Sequence, residues 1–496
     1  MSDAPPVTDP DRDDSPREEC GVFAVAAPAG RDVSRLAYYA LHALQHRGQE
    51  SAGIAARDGE HVTIQRDLGL VSSVFDETSL LSLTGEAAIG HVRYSTTGAN
   101  KWDNAQPVAH TRGDDIVALG HNGNLTNTGD LRTAMELAGV DLRASTDSEI
   151  IAAMIAAEDG SLLRAVCEVM PRLVGAYSVV VLSGSELVAF RDPNGVRPLV
   201  LGRLEDGGWC VASETCALDQ IGARFERDVR PGEALRLTAG GVESRQALPA
   251  ATPSLCVFEH IYFARPDSRM DDHTMWEARS AMGRELARES RVEADLVVGL
   301  PDSGTPAAIG YAQESGIPYS EAVVRNRYVG RSFIQPDQAM RQVGIRLKFN
   351  PLPSVIAGKR LVVVDDSIVR GNTTQRIVQM LMDAGAREVH MRISSPPILW
   401  PCFYGIDMAD RAELVAVGRT VDQIADLTGA DSLAYLSLDG LQRAIGRPAE
   451  GYCRACFTGE YPIAVPDSSL KMRFEPGTPP EPAGACAALP DSVATT

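Results

Sequence analysis

The sequence predicts a two-domain protein, with a first domain that mixes strands and helices (α+β) and a second built on a parallel α/β sheet. Residues 20–250 of the 496-residue chain contain many short apolar segments of strand length and at least two helical patterns. Residues 255–465 contain wholly apolar strands that alternate with turns and helices, which is typical of a parallel sheet covered by helices. A proline-containing stretch at 248–254 separates the two patterns as a linker.

The first predicted element is a strand that begins at Cys20, where an acidic segment changes abruptly to CGVFAVAA. A helix is expected over 34–46, because its apolar residues recur at helical spacing. A second helix should follow 145–149, with Ser145 or Thr146 as its cap and Glu149 completing a capping box. Further strands are expected at 87–91, 116–121, 177–182, 187–190 and 199–202, and in the second domain at 296–300, 361–364, 389–393 and 414–417.

The two ends of the chain differ from the rest in composition. Residues 1–19 contain seven acids, two arginines and four prolines. This composition predicts an acidic, disordered leader, and its abrupt end suggests a removable propeptide. Residues 466–496 are rich in proline and alanine, which predicts a disordered tail.

The overall charge argues against two classes of partner. With 47 basic and 66 acidic residues, the net charge of −19 disfavours binding to nucleic acid or to an anionic membrane surface. No apolar run approaches the ~20 residues needed to span a bilayer, and the N-terminus lacks the basic start and apolar stretch of a secretory signal. We therefore expect a cytoplasmic protein with reduced cysteines, so its nine cysteines are candidates for catalysis, metal binding or simple burial.

The segment 361–374, LVVVDDSIVRGNTT, is the strongest motif in the chain. An apolar strand delivers Asp365 and Asp366 at its carboxyl end, where α/β folds bind ligands. The glycine and hydroxyl residues that follow suit a phosphate at a helix N-terminus, and the two acids suit ribose hydroxyls or Mg²⁺. The alternative is an ordinary strand and loop with solvated acids. The whole motif resembles the signature of type I phosphoribosyltransferases, which bind 5-phosphoribosyl-1-pyrophosphate (PRPP).

That resemblance extends to two more segments. VVGLPDSGT at 297–305 is similar to the family's pyrophosphate loop, although alone it could be a common turn. The stretch 325–348 carries six basic residues and one acid, which suits either a mobile lid over an anion or a solvated loop. The resemblance implies Ser303, Asp365 and Asp366 as Mg²⁺ ligands. The PRPP-binding residues that it implies are Asp302, Ser303, Gly304, Thr305, Lys348, Asp365, Asp366, Arg370, Gly371, Asn372, Thr373 and Thr374.

Cys20 directly follows the acidic leader and, taken alone, would be interpreted as a buried strand cysteine. If the bond between Glu19 and Cys20 is cut, a thiol and a free α-amine share one residue. The amine, with a reference pKa of about 7.7–8.0, can then act as the base for the thiol. This arrangement resembles the N-terminal-nucleophile class of glutamine amidotransferases.

Four further segments are similar to that class. LQHRGQESAG at 44–53 resembles the loop near its glutamine site. Arg93 can clamp the substrate α-carboxylate, Asn122 and Gly123 offer an amide and an N–H for an oxyanion hole, and Asp147 can pair with the α-ammonium. Each segment alone has a structural alternative, such as a hairpin turn at Asn-Gly or a helix cap at Asp147. Their order after a strand-initial cysteine favours the catalytic interpretation.

Together the two halves resemble the glutamine PRPP amidotransferase family over roughly residues 20–465. The resemblance implies an N-terminal-nucleophile αββα sandwich followed by a type I phosphoribosyltransferase domain. It implies a reaction in which glutamine and PRPP give 5-phosphoribosylamine, glutamate and pyrophosphate, the first step of purine synthesis, with ammonia passing inside the closed enzyme. It also implies inhibition by purine nucleotides, and we expect a homo-oligomer.

Four cysteines carry a further resemblance: Cys256, Cys402 and the Cys-x-x-Cys pair Cys453 and Cys456. One branch of the family has both a cleaved leader and a [4Fe–4S] cluster held by four such cysteines, and another branch has neither. Four thiolates suit iron–sulfur or zinc almost equally, and only the resemblance favours iron–sulfur. The cysteines to which no role is assigned are Cys167, Cys210, Cys216 and Cys486.

Other functions predict different sequences. A catalytically silent PRPP-binding regulator would have lost Cys20, Asn122 or the acid pair, and all of these are present. A cluster-based redox or oxygen sensor predicts cluster-dependent partner binding, on which the sequence is silent. A sugar-isomerising or ATP-using amidotransferase would replace the signature at 365–374.

Overall fold

The computed structural model of this protein describes residues 19–94, 101–326, 348–406, 408, 411–446 and 451–465. The predicted tail lies outside the described residues, as does all of the predicted leader except Glu19. Most of the basic stretch 325–348 is also outside them. In the described part of the chain, no helix is long and apolar enough to cross a membrane.

Two antiparallel sheets make up the first half of the chain. The strand after Cys20, Gly21–Ala26, lies inside the first sheet and pairs with Ala87–Arg93 on one side and Trp209–Ala212 on the other. In spatial order, the first sheet contains Ala223–Asp228, Val200–Leu204, Trp209–Ala212, Gly21–Ala26, Ala87–Arg93, Ser51–Asp58 and His61–Leu68. The second sheet contains Gly241–Gln246, Glu233–Thr238, Leu187–Arg191, Gly175–Leu182, Asp115–Leu125 and Val108–Arg112.

The two sheets stack face to face with helices on both outer sides. Val22 of the first sheet shares a buried core with Val180 and Leu235 of the second. Helix Val33–Ala43 packs on the outer face of the first sheet, and helix Asp147–Ala157 on that of the second. This order of layers confirms the predicted αββα sandwich. The remaining α-helices described in this half are Val71–Val74, Glu77–Ser82, Thr128–Leu137, Leu162–Val169 and Thr215–Gln220.

The second half is built on a four-stranded, wholly parallel sheet, as predicted. Its strands, in spatial order, are Leu296–Gly299, Arg360–Asp365, Glu388–Ile393 and Ser432–Tyr435. Separate apolar cores cover its two faces. Gly299 is aligned with Val364, so the two predicted ligand loops leave the sheet side by side. The α-helices described in this half are Met275–Glu289, Thr305–Ser315, Pro353–Ile356, Asn372–Asp383, Val421–Thr428, Leu438–Ile445 and Ala455–Thr458.

Three short strand pairs complete the described sheets. Leu255–Cys256 runs parallel to Tyr452–Cys453, so the beginning and the end of the second half meet. The other two pairs are antiparallel: Arg269–Met270 with His273–Thr274, and Val323–Arg325 with Phe349–Pro351.

Two local predictions are wrong. The segment 414–417 is a turn rather than a strand; it is apolar because Leu414 and Val415 are buried in the cores on opposite faces of the sheet. Glu149 completes no capping box, because its carboxylate accepts hydrogen bonds from the backbone N–H groups of Arg143 and Ala144 at 3.0 and 2.7 Å. Helix Asp147–Ala157 therefore begins without a side-chain cap hydrogen bond.

Candidate active sites

Cys20 directly precedes the strand Gly21–Ala26 of the first sheet and is only 4% exposed. Its Sγ lies 3.3 Å from the carbonyl oxygen of Tyr94. Burial is the main cause that raises the pKa of the thiol to about 11. The hydrogen bond to Tyr94 and the charge of Arg93 oppose this rise, and the charges of Glu50 and Asp147 add to it. The predicted nucleophile and two predicted glutamine-binding residues therefore share one electrostatic environment. In the chain with Glu19 still attached, the thiol is held in its neutral form.

The two charged residues predicted to bind glutamine are both buried. Arg93 ends its strand opposite Ser51, and its guanidinium is 3.6 Å from the Glu50 carboxylate. Asp147 begins a helix and accepts a hydrogen bond from the backbone N–H of Leu125 at 2.9 Å. Burial raises the pKa of Asp147, but the charge of His121 and its hydrogen bonds lower it overall. The site therefore holds the cation of Arg93, paired with Glu50, and the anion of Asp147, which are the two charges predicted to bind an amino acid substrate.

Asn122 and Gly123 lie next to each other in the strand Asp115–Leu125. The Nδ2 of Asn122 is buried and has no hydrogen-bond partner among the described residues, so it is a donor whose partner must come from outside that set. Gly123 has φ +143°, and a Cβ there would lie 2.0 Å from the carbonyl oxygen of Ala176. Only glycine, which has no side chain, can adopt this backbone conformation beside Asn122.

The second site lies at the carboxyl ends of the parallel strands. Asp365 ends the strand Arg360–Asp365, Asp366 follows it directly, and both line a cavity of about 290 Å³. Burial and the charge of Asp366 raise the pKa of Asp365, while the Lys348 ammonium lowers it. Burial also raises the pKa of Asp366, against hydrogen bonds from Ser303 and Ser367 and the charge of Arg279. Two adjacent acids, Asp366 buried and Asp365 half-buried, fit a bound divalent cation together with a serine hydroxyl.

The other residues of the PRPP motifs divide into three groups. Asp302, Ser303, Lys348, Thr373 and Thr374 line the cavity with the acid pair. Gly304 and Thr305 lie at the start of helix Thr305–Ser315, and Gly371 and Asn372 at the start of helix Asn372–Asp383. Arg370 instead pairs with Glu413, its Nη2 lying 2.8 Å from the carboxylate. Neither Arg370 nor Glu413 lines the cavity.

The structure adds cavity residues that the sequence did not indicate. Arg279 is buried, lines the cavity and donates to the backbone carbonyls of His260 and Ala264. His46, Arg47 and Gln49 belong to the first half of the chain and line the same cavity. The sequence motif at 44–53 placed these residues near the glutamine site, but it did not indicate that they also face the second site.

Arg47 links the two sites directly. Its Nε donates to the carbonyl of Cys20 at 3.1 Å, and its Nη atoms form a bidentate pair with Glu259 at 2.7 and 2.9 Å. It also contacts Glu214 at 2.6 Å. One buried guanidinium therefore contacts the backbone carbonyl of Cys20, lines the acid-pair cavity and joins the two halves of the chain.

Glu19 differs from the prediction that residues 1–19 form a disordered leader. It is 1% exposed, and its carboxylate pairs with Arg47 and Arg197, both of which are also buried. The composition of the leader did not indicate this, because the partners lie 28 and 178 residues away in sequence.

The four cysteines predicted as cluster ligands lie together. Cys256 is aligned with Cys453 in the parallel pair, and the carbonyl of Cys456 accepts from the backbone N–H of Leu399 and Trp400, close to Cys402. Burial is the main cause that raises the pKa of Cys453 to about 12, and the Cys402 thiol adds to it. These contacts gather four buried or half-buried thiols in an apolar core, so the residues fit a shared metal group.

Among the described residues, no group of three or more His, Cys, Asp or Glu side chains forms a metal site as it stands. Four thiolates suit zinc or iron–sulfur almost equally, and only the sequence resemblance favours iron–sulfur.

The two sites thus define a chain that joins a glutamine amidotransferase domain to a phosphoribosyltransferase domain. Residues 91–220 match the glutamine amidotransferase domain family, and residues 276–394 the phosphoribosyl transferase domain family. An amidophosphoribosyltransferase of Mycobacterium bovis is 54% identical over 92% of this chain and 89% of its own length, and one of Synechococcus elongatus is 51% identical over 94% and 95%. A solved glutamine PRPP amidotransferase from B. subtilis, complexed with ADP and GMP, is 45% identical, with a TM-score of 0.86 over 91% of this chain and 99% of that chain. This chain belongs to the amidophosphoribosyltransferase family.

Proposed function

We propose that this protein makes 5-phosphoribosylamine from PRPP, glutamine and water, releasing glutamate and pyrophosphate, as the first step of purine synthesis. The observation that carries the proposal is the position of Arg47. It contacts the Cys20 carbonyl and also lines the acid-pair cavity, so an amide-cleaving site and a phosphoribosyl site adjoin within one chain.

In the first half-reaction, the Cys20 thiolate attacks the side-chain amide carbon of glutamine. Ammonia leaves, and water then hydrolyses the thioester to glutamate. Arg93 binds the substrate α-carboxylate and Asp147 its α-ammonium. The unpartnered Nδ2 of Asn122 supports its role, with the N–H of Gly123, as donor to the developing oxyanion.

The base for Cys20 is its own α-amine, which requires removal of residues 1–19. Hydrolysis of the Glu19–Cys20 peptide adds one water, whose hydroxyl goes to the Glu19 carbonyl carbon and whose proton goes to the Cys20 nitrogen. The raised pKa of the Cys20 thiol in the uncut chain, about 11, supports this requirement. Intact mass of active protein tests it: active chains should begin at Cys20, and an intact leader on active protein would disprove the processing step.

In the second half-reaction, ammonia displaces pyrophosphate from C1 of PRPP. Asp365, Asp366 and Ser303 would hold Mg²⁺, which when bound supplies positive charge to the pyrophosphate leaving group. Lys348, Thr373 and Thr374, with the loop that begins at Asp302, bind the anionic substrate in the cavity. Arg370, Gly371 and Asn372 complete the turn that leads into the helix.

The two half-reactions are connected by ammonia that passes between the sites without entering bulk water. Water would protonate ammonia and remove its nucleophilic lone pair, so the path must be closed. The shared wall at His46, Arg47 and Gln49 supports a short path.

The decisive test of the function separates the two nitrogen sources. Cys20→Ala should abolish synthesis with glutamine and keep synthesis with high ammonia, because the ammonia-using site lies in the second half. Cys210→Ala, at a buried cysteine in the neighbouring strand Trp209–Ala212, is the matched control. The assignment fails if Cys20→Ala keeps glutamine-dependent activity, or if it loses both activities while remaining folded.

We further propose that Cys256, Cys402, Cys453 and Cys456 hold one [4Fe–4S] cluster that stabilises the fold, since neither half-reaction moves an electron. Anaerobically purified protein should be brown and contain about four irons per chain. Cys256→Ser should lose the iron and become protease-sensitive, because metal binding contributes to folding, whereas Cys216→Ser should keep it. A colourless, fully active zinc protein would disprove the choice of metal.

Purine nucleotides are the expected inhibitors of this chain, supported by the B. subtilis relative that was solved with ADP and GMP. Addition of GMP and ADP should lower the rate with either nitrogen source. We also expect a homo-oligomer, which sedimentation of the purified protein would test.

A further inference from the structure

We propose that Arg47 and Arg197 form a carboxylate clamp that recognises Glu19 and positions the Glu19–Cys20 peptide bond for cleavage. The inference rests on the leader removal proposed above. It adds a requirement for a particular side chain immediately before the nucleophile.

The clamp holds its ligand from two sides. Arg47 Nη2 contacts one carboxylate oxygen of Glu19 at 3.2 Å, and Arg197 Nη1 contacts the other. The two arginines come from distant parts of the first half, Arg47 from the turn after helix Val33–Ala43 and Arg197 from the loop before strand Val200–Leu204. Both guanidiniums are buried with Glu19, so the contact is shielded from water and strongly favours a charged partner.

The clamp also contacts Cys20, the residue on the other side of the peptide bond to be cut. Arg47 Nε donates to the carbonyl of Cys20 at 3.1 Å while its Nη2 contacts the Glu19 side chain. The two residues that flank the peptide bond are therefore tied to one guanidinium, which is rigid and planar. This geometry fixes the orientation of the bond beside the Cys20 thiol, which Tyr94 holds in place.

The charges explain why the ligand is an acid. The other hydrogen bonds of Arg197 go to the carbonyl of Tyr404, and its Nη1 lies 3.9 Å from Glu259. In the described part of the chain, Glu19 is thus the carboxylate that Arg197 contacts most closely. A neutral side chain at position 19 would leave a buried guanidinium without its direct counter-charge, which is unfavourable.

Maturation kinetics test the clamp. The chain and its Glu19→Gln, Glu19→Asp and Glu18→Gln variants are isolated soon after synthesis, and intact mass measures the fraction that begins at Cys20 over time. Glu19→Gln should mature at least about tenfold more slowly, because it loses charge-assisted hydrogen bonds. Glu19→Asp keeps the charge and should recover part of the rate. Glu18→Gln removes one leader charge at the neighbouring position, outside the described residues, and should mature like the unsubstituted chain.

Ammonia-dependent synthesis provides the folding control, since it does not require a free Cys20 amine. It should persist in Glu19→Gln, whereas the thermal unfolding temperature should fall because a buried guanidinium loses its counter-charge. Equal maturation of Glu19→Gln and Glu18→Gln would overturn the clamp and leave leader removal intact, and equal slowing of Glu19→Gln and Glu19→Asp would overturn recognition by charge. An unsubstituted chain that is active but never cut would overturn both proposals.

Discussion

Substitution of Gly123 by alanine should separate the two activities of this enzyme. Gly123 has φ +143°, and an added Cβ would lie 2.0 Å from the Ala176 carbonyl oxygen and 3.0 Å from His121 Nε2. Because the nearest atom belongs to backbone in the paired strand, relief requires a shift of about 1 Å. Overpacking of this kind destabilises a protein by about 1–3 kcal/mol, and a 1 Å displacement of catalytic groups can lower a rate about 100-fold.

The matched control is Gly120→Ala, in the same strand. A Cβ at Gly120 would meet only side chains, Val180 Cγ2 at 3.3 Å and His91 Cβ at 3.6 Å, so small side-chain movements accommodate it. We expect glutamine-dependent pyrophosphate release to fall about 100-fold in Gly123→Ala, with ammonia-dependent release unchanged. The reasoning is refuted if Gly123→Ala and Gly120→Ala show the same glutamine-dependent rate.

Three other predictions use different properties of the structure. Asp366→Asn should lower pyrophosphate release with both glutamine and ammonia by at least about tenfold, since a charge-assisted contact is lost; a normal rate with ammonia would contradict the site. Glu214→Gln should lower the free energy of unfolding by about 3–5 kcal/mol at pH 7, because it breaks a buried ion pair. Burial raises the pKa of Glu214, but His46 and Arg47 hold it well below 4.5, so its stabilising effect is present above pH 4.5 and is lost as the pH falls below it. Thermal unfolding at pH 7 and pH 4 should thus differ less in Glu214→Gln than in the unsubstituted chain, and parallel losses would contradict this. Iodoacetamide should alkylate Cys20 of the uncut chain more slowly than the half-exposed Cys167, which peptide mass spectrometry measures; preferential labelling of Cys20 would contradict its buried, neutral state.

The features predicted most closely from sequence are those whose causes are local. The apolar run at 361–364 followed by two acids predicted a buried parallel strand with ligands at its carboxyl end, and the structure has Arg360–Asp365 there. The prediction of a strand at 414–417 is wrong, because its apolar residues belong to a turn that packs into the cores. The pattern of apolar residues indicates which residues are buried. A buried segment is a strand only if a neighbouring strand forms hydrogen bonds with it.

The ion pairs around Cys20 could not be predicted, because their partners lie far apart in the sequence. Arg47 and Glu259 are 212 residues apart, and Arg197 and Glu19 are 178 apart. A faint signal was available for one of them: Glu259 interrupts the apolar segment that surrounds it, and an acid in such a segment is either exposed or paired. The segment alone does not identify the partner.

The parallel pairing of Leu255–Cys256 with Tyr452–Cys453 also sets an order of events during synthesis. The two partners are about 200 residues apart in the chain, and at about 5–20 residues per second the ribosome needs roughly 10–40 seconds to make the intervening segment. Throughout that interval, Cys256 has emerged without the partner that follows it at the end of the domain. The first half of the chain can form its own sheets while it waits. This strand pair can therefore form only after translation has passed residue 453. A chain terminated before residue 452 lacks the second strand of the pair.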